Sequence, residues 1–199
     1  MRCFKNTKQL FTFSSVSSLS SFVSSFPCVG FSGSRLGGSS AVRSASAFLP
    51  LLSSFSGSVG VGCACGVDQA VRAAFPSALV FRVQPPVSRA AFAARSARLV
   101  RWVASGSGLL VAFPLGTAPA RLVPSVSFCG FGSGTWGSVA LALGLGCSVL
   151  VVLPAAVCPA GAAFPAPAAV AARFAFAGVA PCGGSLWLAS PVPVQLALF

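Results

Sequence analysis

The chain predicts an α/β fold: a parallel sheet of about five or more strands with helices on both faces. Three observations carry that prediction. From Pro27 onward short apolar runs alternate with longer stretches of helical periodicity, and glycine-bearing turns follow three of these runs. The run "CSVLVVLP" is apolar throughout, as a strand covered on both faces is. In order, "PCVGFSG" (27–33) is a first strand, and "GGSSAVRSASAFLPLL" (37–52) is a helix with Ser39 or Ser40 placed to cap it. "SVGVGCA" (58–64) is a second strand, and "GVDQAVRAAF" (66–75) is a helix opening near Asp68. A third strand, "ALVFRV" (78–83), stops before Gln84-Pro85-Pro86, because proline has no N–H to give a ladder. The stretch 87–105 is an amphipathic helix with Phe92, Leu99 and Val103 on one face and Arg98 and Arg101 opposite. Gly106 and Gly108 end it. "LLVAFP" (109–114), "GTWGSVALALGLG" (134–146) and "CSVLVVLP" (147–154) then read as strand, glycine-opened helix and strand.

Domain organisation follows from composition. Length, at 199 residues, suits one hydrophobic core with ragged ends. Residues 1–26 are basic, acid-free and serine-rich; they superficially resemble an organelle presequence, and a disordered leader is expected. Residues 27–154 hold the α/β domain. Residues 155–199 are rich in Ala and Pro, a low-complexity composition that argues against regular core elements, so this segment is expected to pack on the domain. Its last part, "CGGSLWLASPVPVQLALF", adds a late strand or lies on the surface. Leu122 to Ala172 carries no charge and is long enough for a membrane span of ~20 residues. Glycines 130 to 146 and Pro154 punctuate it where a helix and a strand end, so a buried helix–strand pair is expected and no membrane partner.

Thirteen Lys and Arg face a single acid, Asp68, for a formal charge of +12. Such a balance suits nucleic acid or another anionic partner. A genetic cause is the alternative. Asp, Glu, His, Gln, Asn, Lys and Tyr all take adenine at the middle codon position, and Glu, His and Tyr are absent, as is Ile. Arginine has codons free of adenine, so drift in base composition leaves a basic chain by itself; a chance reading frame would show the same loss. Asp68, Gln69 and Gln84 persist against that drift. The eight cysteines form no C-x-x-C pair and, with no His, no zinc set, so no metal is expected. Free thiols in a reducing compartment, the cytoplasm, are the reading.

The turns "GFSGSR" (30–35), "GCACGVD" (62–68) and "GFGSGTWG" (130–137) each follow or approach a strand end. In an open parallel sheet the ligand crevice lies outside the carboxyl ends of the strands, so the three are expected to converge there. Glycine admits close backbone approach, and helix N-termini attract anions. Arg35 contacts a phosphate or is a solvated loop residue; Asp68 orients a ligand or caps a helix. Cys63 and Cys65 sit near a helix N-terminus, where burial is the expected state.

These turns resemble the superfamily that joins the DNA-processing protein DprA with the LOG cytokinin-activating enzymes, often called SLOG, a Rossmann-like group. The matching residues are Gly33-Ser34-Arg35, the Gly-x-Ala-x-Gly-x-Asp turn at Gly62, Ala64, Gly66 and Asp68, and the Gly-Thr pair Gly134-Thr135. "FAARSARLV" resembles the start of the arginine-bearing helix and adds Arg95. Over residues 27 to 154 the resemblance implies a nucleotide-like ligand held by Gly33, Ser34, Arg35, Gly62, Cys63, Ala64, Gly66, Asp68, Arg95, Gly132, Ser133, Gly134 and Thr135. A second implied partner is single-stranded DNA, contacted by Arg89, Arg95, Arg98 and Arg101. LOG-like hydrolysis of a nucleoside monophosphate is the third expectation; its carboxylate position is Ser138 here, and Asp68 is the only candidate acid, so binding without catalysis is the leading reading. No cofactor is called for, and a homo-oligomer is left open.

Overall fold

The strands and helices of residues 27–154 form in the order their periodicity predicts. The computed structural model describes residue 13 and residues 15–191. Strands β1 (Cys28–Gly33), β2 (Ser58–Gly62), β3 (Leu79–Phe81), β4 (Leu109–Phe113) and β5 (Ser148–Leu153) are parallel. Two more, β6 (Ala175–Val179) and β7 (Ser185–Ala189), join antiparallel and complete a seven-stranded mixed sheet of order β3-β2-β1-β4-β5-β7-β6. The chain leaves β1 toward β2 and β3, then crosses back to place β4 on β1's other side. Strand order therefore reverses between β1 and β4. The architecture is Rossmann-like.

The helices are α1 (Val16–Ser24), α2 (Ser40–Phe48, continued by a 3-10 turn at Leu49–Leu52), α3 (Val67–Ala74), α4 (Arg89–Ser105), α5 (Gly134–Gly144) and α6 (Ala168–Ala171). They cover both faces because alternate strand residues point to opposite sides. On one face Phe31, Val111, Phe113 and Leu150 meet Leu19, Phe48, Val67 and Val71 from α1, α2 and α3. On the other, Leu110, Val149, Val151 and Leu153 meet Val100 and Val103 of α4 and Val139 and Leu141 of α5. Burying each such side chain contributes roughly 1.5–3 kcal/mol. Strand β5, buried along its whole length, lies between the two layers, which is why its sequence shows no alternation.

The leader differs from expectation, and the C-terminal segment differs in part: its late strand forms, and it enters the core. Part of the serine-rich leader is ordered: Ser15 caps α1, accepting from the Ser18 N–H while the Ser18 hydroxyl accepts from the Ser15 N–H. Leu19 and Val23 are buried in the core, with Phe22 and Phe26 packed against it. Those four positions have helical spacing, which the serine content obscured. The Phe13 N–H donates to the Ala177 carbonyl of β6 at 2.7 Å. Residues 1–12 and 14 lie outside the described residues.

At the other end the Ala/Pro-rich segment does contribute core elements. Every residue of β7 is buried, and β7 pairs with β5 from Val149–Ala189 to Leu153–Ser185. Its described prolines, at 159, 165, 167, 181 and 191, all fall outside the strands, where no ladder needs their missing N–H. Residues 192–199 lie outside the described residues. Among the described residues no helix is long and apolar enough to cross a membrane; the uncharged stretch from 122 to 172 is divided among loop, α5, β5 and α6.

Candidate functional site

A cavity of about 950 Å³ opens at the carboxyl ends of β1 and β4, where the strand order reverses. Such a point is where open α/β sheets place their ligands. One wall is the turn after β1, Ser32 to Arg35; the facing wall is the loop from Gly130 into α5. Arg89, Phe92 and Arg95 of α4 close a third side, and the loop after β4, Leu115 to Thr117, closes the fourth.

Asp68 and Arg95 meet on this wall. Arg95 Nη1 donates to Asp68 Oδ2 at 2.8 Å, and the Ala64 N–H donates to the same oxygen at 3.2 Å. Asp68 is 3% exposed and Arg95 6%. Two charges so far from water are tolerable only as a pair, and removal of either leaves the other costly. The pair is incomplete: Arg95 Nε is buried without a hydrogen-bond partner.

The second glycine turn makes this pair possible. A Cβ on Gly62 would overlap both Arg95 Nη1 and Asp68 Oδ2, so only glycine leaves room for them. Gly66, at φ +70, would drive a Cβ into the Ser34 carbonyl. That contact is close because the two turns are joined: the Val67 N–H donates to Ser34 O at 3.0 Å, and Cys65 Sγ donates to Arg35 O at 3.0 Å.

Arg35 is exposed and its guanidinium carbon stands 4.5 Å from the centroid of Phe92, a cation–π contact that holds it over the cavity. Opposite, Ser133 caps α5, its hydroxyl accepting from the Trp136 N–H at 3.3 Å. The buried Trp136 indole N–H donates to Gly116 O at 3.0 Å and ties the β4 loop to α5. The open backbone of Gly134 and Thr135 thus borders a cavity that carries three guanidinium groups against one carboxylate. A helix N-terminus facing such a space favours an anion. Ser138 is fully buried, donating to Gly134 O and accepting from Ser32 Oγ, both at 3.1 Å.

Of the residues singled out in the sequence, Gly33, Ser34, Arg35, Asp68, Arg95, Gly132, Ser133, Gly134 and Thr135 line the one cavity. Gly62, Cys63, Ala64 and Gly66 do not; they lie behind it, and Cys63 Sγ accepts from the Val83 N–H at the β3 end. Arg89 lines the cavity, whereas Arg98 and Arg101 are exposed on α4 outside it, Arg98 donating to the Arg82 carbonyl. Arg95 is buried against Asp68 and does not share that outer surface. The β4 loop and the part played by Phe92 on the cavity wall had no sequence signal, because loop proximity follows from strand order. Among the described residues no three side chains able to ligate a metal come together. Cys147 lies near the amino end of β5, away from the cavity; burial, and then the neighbouring Cys28, pushes its thiol up from 9.0 to about 11. No protein-family model matches the chain, and no curated protein matches it in sequence.

Proposed function

We propose that the cavity binds a nucleotide or nucleotide-derived ligand, as the superfamily resembled by the three turns does. The observation that carries this reading is convergence: turns far apart in sequence border one cavity at the reversal of strand order, with the chain's only acid between them. Its volume of about 950 Å³ suits a small organic molecule. The anionic end of the ligand belongs at the α5 N-terminus with Arg35 and Arg89; Phe92, Phe128 and Leu115 supply apolar surface for a ring. Binding without hydrolysis is favoured, since Asp68 is committed to Arg95 and Ser138 holds the position of the hydrolases' carboxylate.

Calorimetric titration with the four nucleoside 5′-monophosphates tests this. Saturable binding is expected, weakened roughly ten- to hundredfold by Arg35→Ala with Arg89→Ala, because charge-assisted bonds are lost. Unchanged affinity in that double variant, or no saturable binding by the folded wild type, would overturn it. Single-stranded DNA is the second reading, favoured by the exposed Arg98 and Arg101 beyond the cavity. Oligonucleotide affinity would then fall with salt at a log–log slope of about −0.7 per phosphate contact; a flat response removes that reading.

A further inference from the structure

Helix α3 carries an acid and a base one turn apart, Asp68 and Arg72. Across i, i+4 on a helix such a pair ordinarily meets. Here it does not. Among the described residues the single ion pair joins Asp68 to Arg95, and Arg72 turns instead to the backbone of the preceding turn. Its Nη1 donates to Gly62 O at 2.6 Å and its Nη2 to Ala64 O at 2.9 Å.

The two carbonyls so held matter to the cavity. Ala64 is gripped from both sides of its residue, its N–H donating to Asp68 and its C=O accepting from Arg72. Gly62 is the residue whose bare Cα makes room for the Arg95 guanidinium. We propose that Arg72 is a positioning residue: by clamping Gly62 and Ala64 it keeps its own charge off Asp68, and so leaves the carboxylate to Arg95 on the cavity wall. The ligand consequence rests on the nucleotide reading above; the geometric consequence does not. A planar guanidinium can serve two carbonyls at once, whereas a lysine ammonium serves one and is then free to approach Asp68.

The test reads Arg95 directly. In a ¹⁵N spectrum of arginine side chains, the Arg95 Nε–H is identified by its loss in Arg95→Lys, and as a buried proton it exchanges slowly. In Arg72→Gln and in the milder Arg72→Lys, each confirmed folded by circular dichroism, that signal is expected to move and to exchange at least tenfold faster. Arg121→Gln, at an exposed loop position, should leave it unchanged. Affinity for the nucleoside monophosphates should fall roughly tenfold in both Arg72 variants, about the loss of one hydrogen bond. An unmoved Arg95 signal in a folded Arg72 variant overturns the proposal. So does full rescue by Arg72→Lys, which would make charge rather than the two-carbonyl clamp the operative property. A responsive Arg95 signal in a protein that binds no nucleotide supports the clamp and removes the nucleotide reading alone.

Discussion

The second and third glycine turns look alike as strings of letters and differ in what their missing side chains are for. At Gly62 and Gly66 a Cβ would strike Arg95, Asp68 or the Ser34 carbonyl; at Gly132 and Gly134 it would meet nothing within 4 Å. The second turn is bare so that protein can pack behind the cavity. The third is bare along an open wall only at Gly132 and Gly134; its outer glycines, Gly130 and Gly137, are closed in by the Ser133 carbonyl and the Phe128 ring. Only Asp68 from the second turn reaches the cavity, whereas the third contributes a continuous run from Gly132 to Trp136. Glycine content therefore locates a close approach without saying whether the approaching group is the protein's own or a ligand's.

Single alanine substitutions grade this difference. Gly62→Ala is expected to be the most damaging, since the new methyl expels one member of a buried ion pair: about 3–5 kcal/mol in urea unfolding. Gly66→Ala follows at roughly 2–3 kcal/mol by the same measurement, combining a left-handed φ with a collision against backbone. Gly132→Ala, at φ +94 but in open space, carries conformational strain alone and should lower stability by about 1 kcal/mol. The smallest effect belongs to Gly134→Ala, at the first turn of α5 with no neighbour to displace: within about 0.5 kcal/mol of wild type. That last variant should nonetheless weaken nucleotide binding in calorimetry, because the added methyl stands on the cavity wall. Equal stability losses at Gly62 and Gly134 would break the contrast between a packing turn and a ligand-facing one.

Much of the fold was legible because its signals are local. The cap at Ser39, the apolar β4 and β5, and the proline stop after β3 are each read within a few residues of themselves. Two regions misled. In the leader, serine concealed the helical spacing of Leu19, Phe22 and Val23 in α1, continued by Phe26 just beyond it. Beyond Pro154, alanine and proline concealed β6 and left "SLWLA", which forms β7, open between a late strand and a surface segment. Both derive their order from what they pack against: β7 from β5, α1 from the 3-10 turn and the sheet face.

For the site, the sequence by itself determined the ingredients: a single acid at a helix opening, an arginine after the first strand, and a Gly-Thr pair opening a helix. Asp68 was conspicuous because it is the single acid of the chain. Partnership was decided only by tertiary structure. Helical periodicity places Arg95 among the arginines of α4, and nothing local says that it turns inward to Asp68, 27 positions away, or that Arg72 bypasses the acid four residues before it for two carbonyls. Strand order decided as well that the loop after β4 would close the cavity. The reason is physical: caps and periodicity arise from interactions within a turn or two of chain, whereas buried charges take whichever opposite charge or carbonyl the packed sheet brings near them.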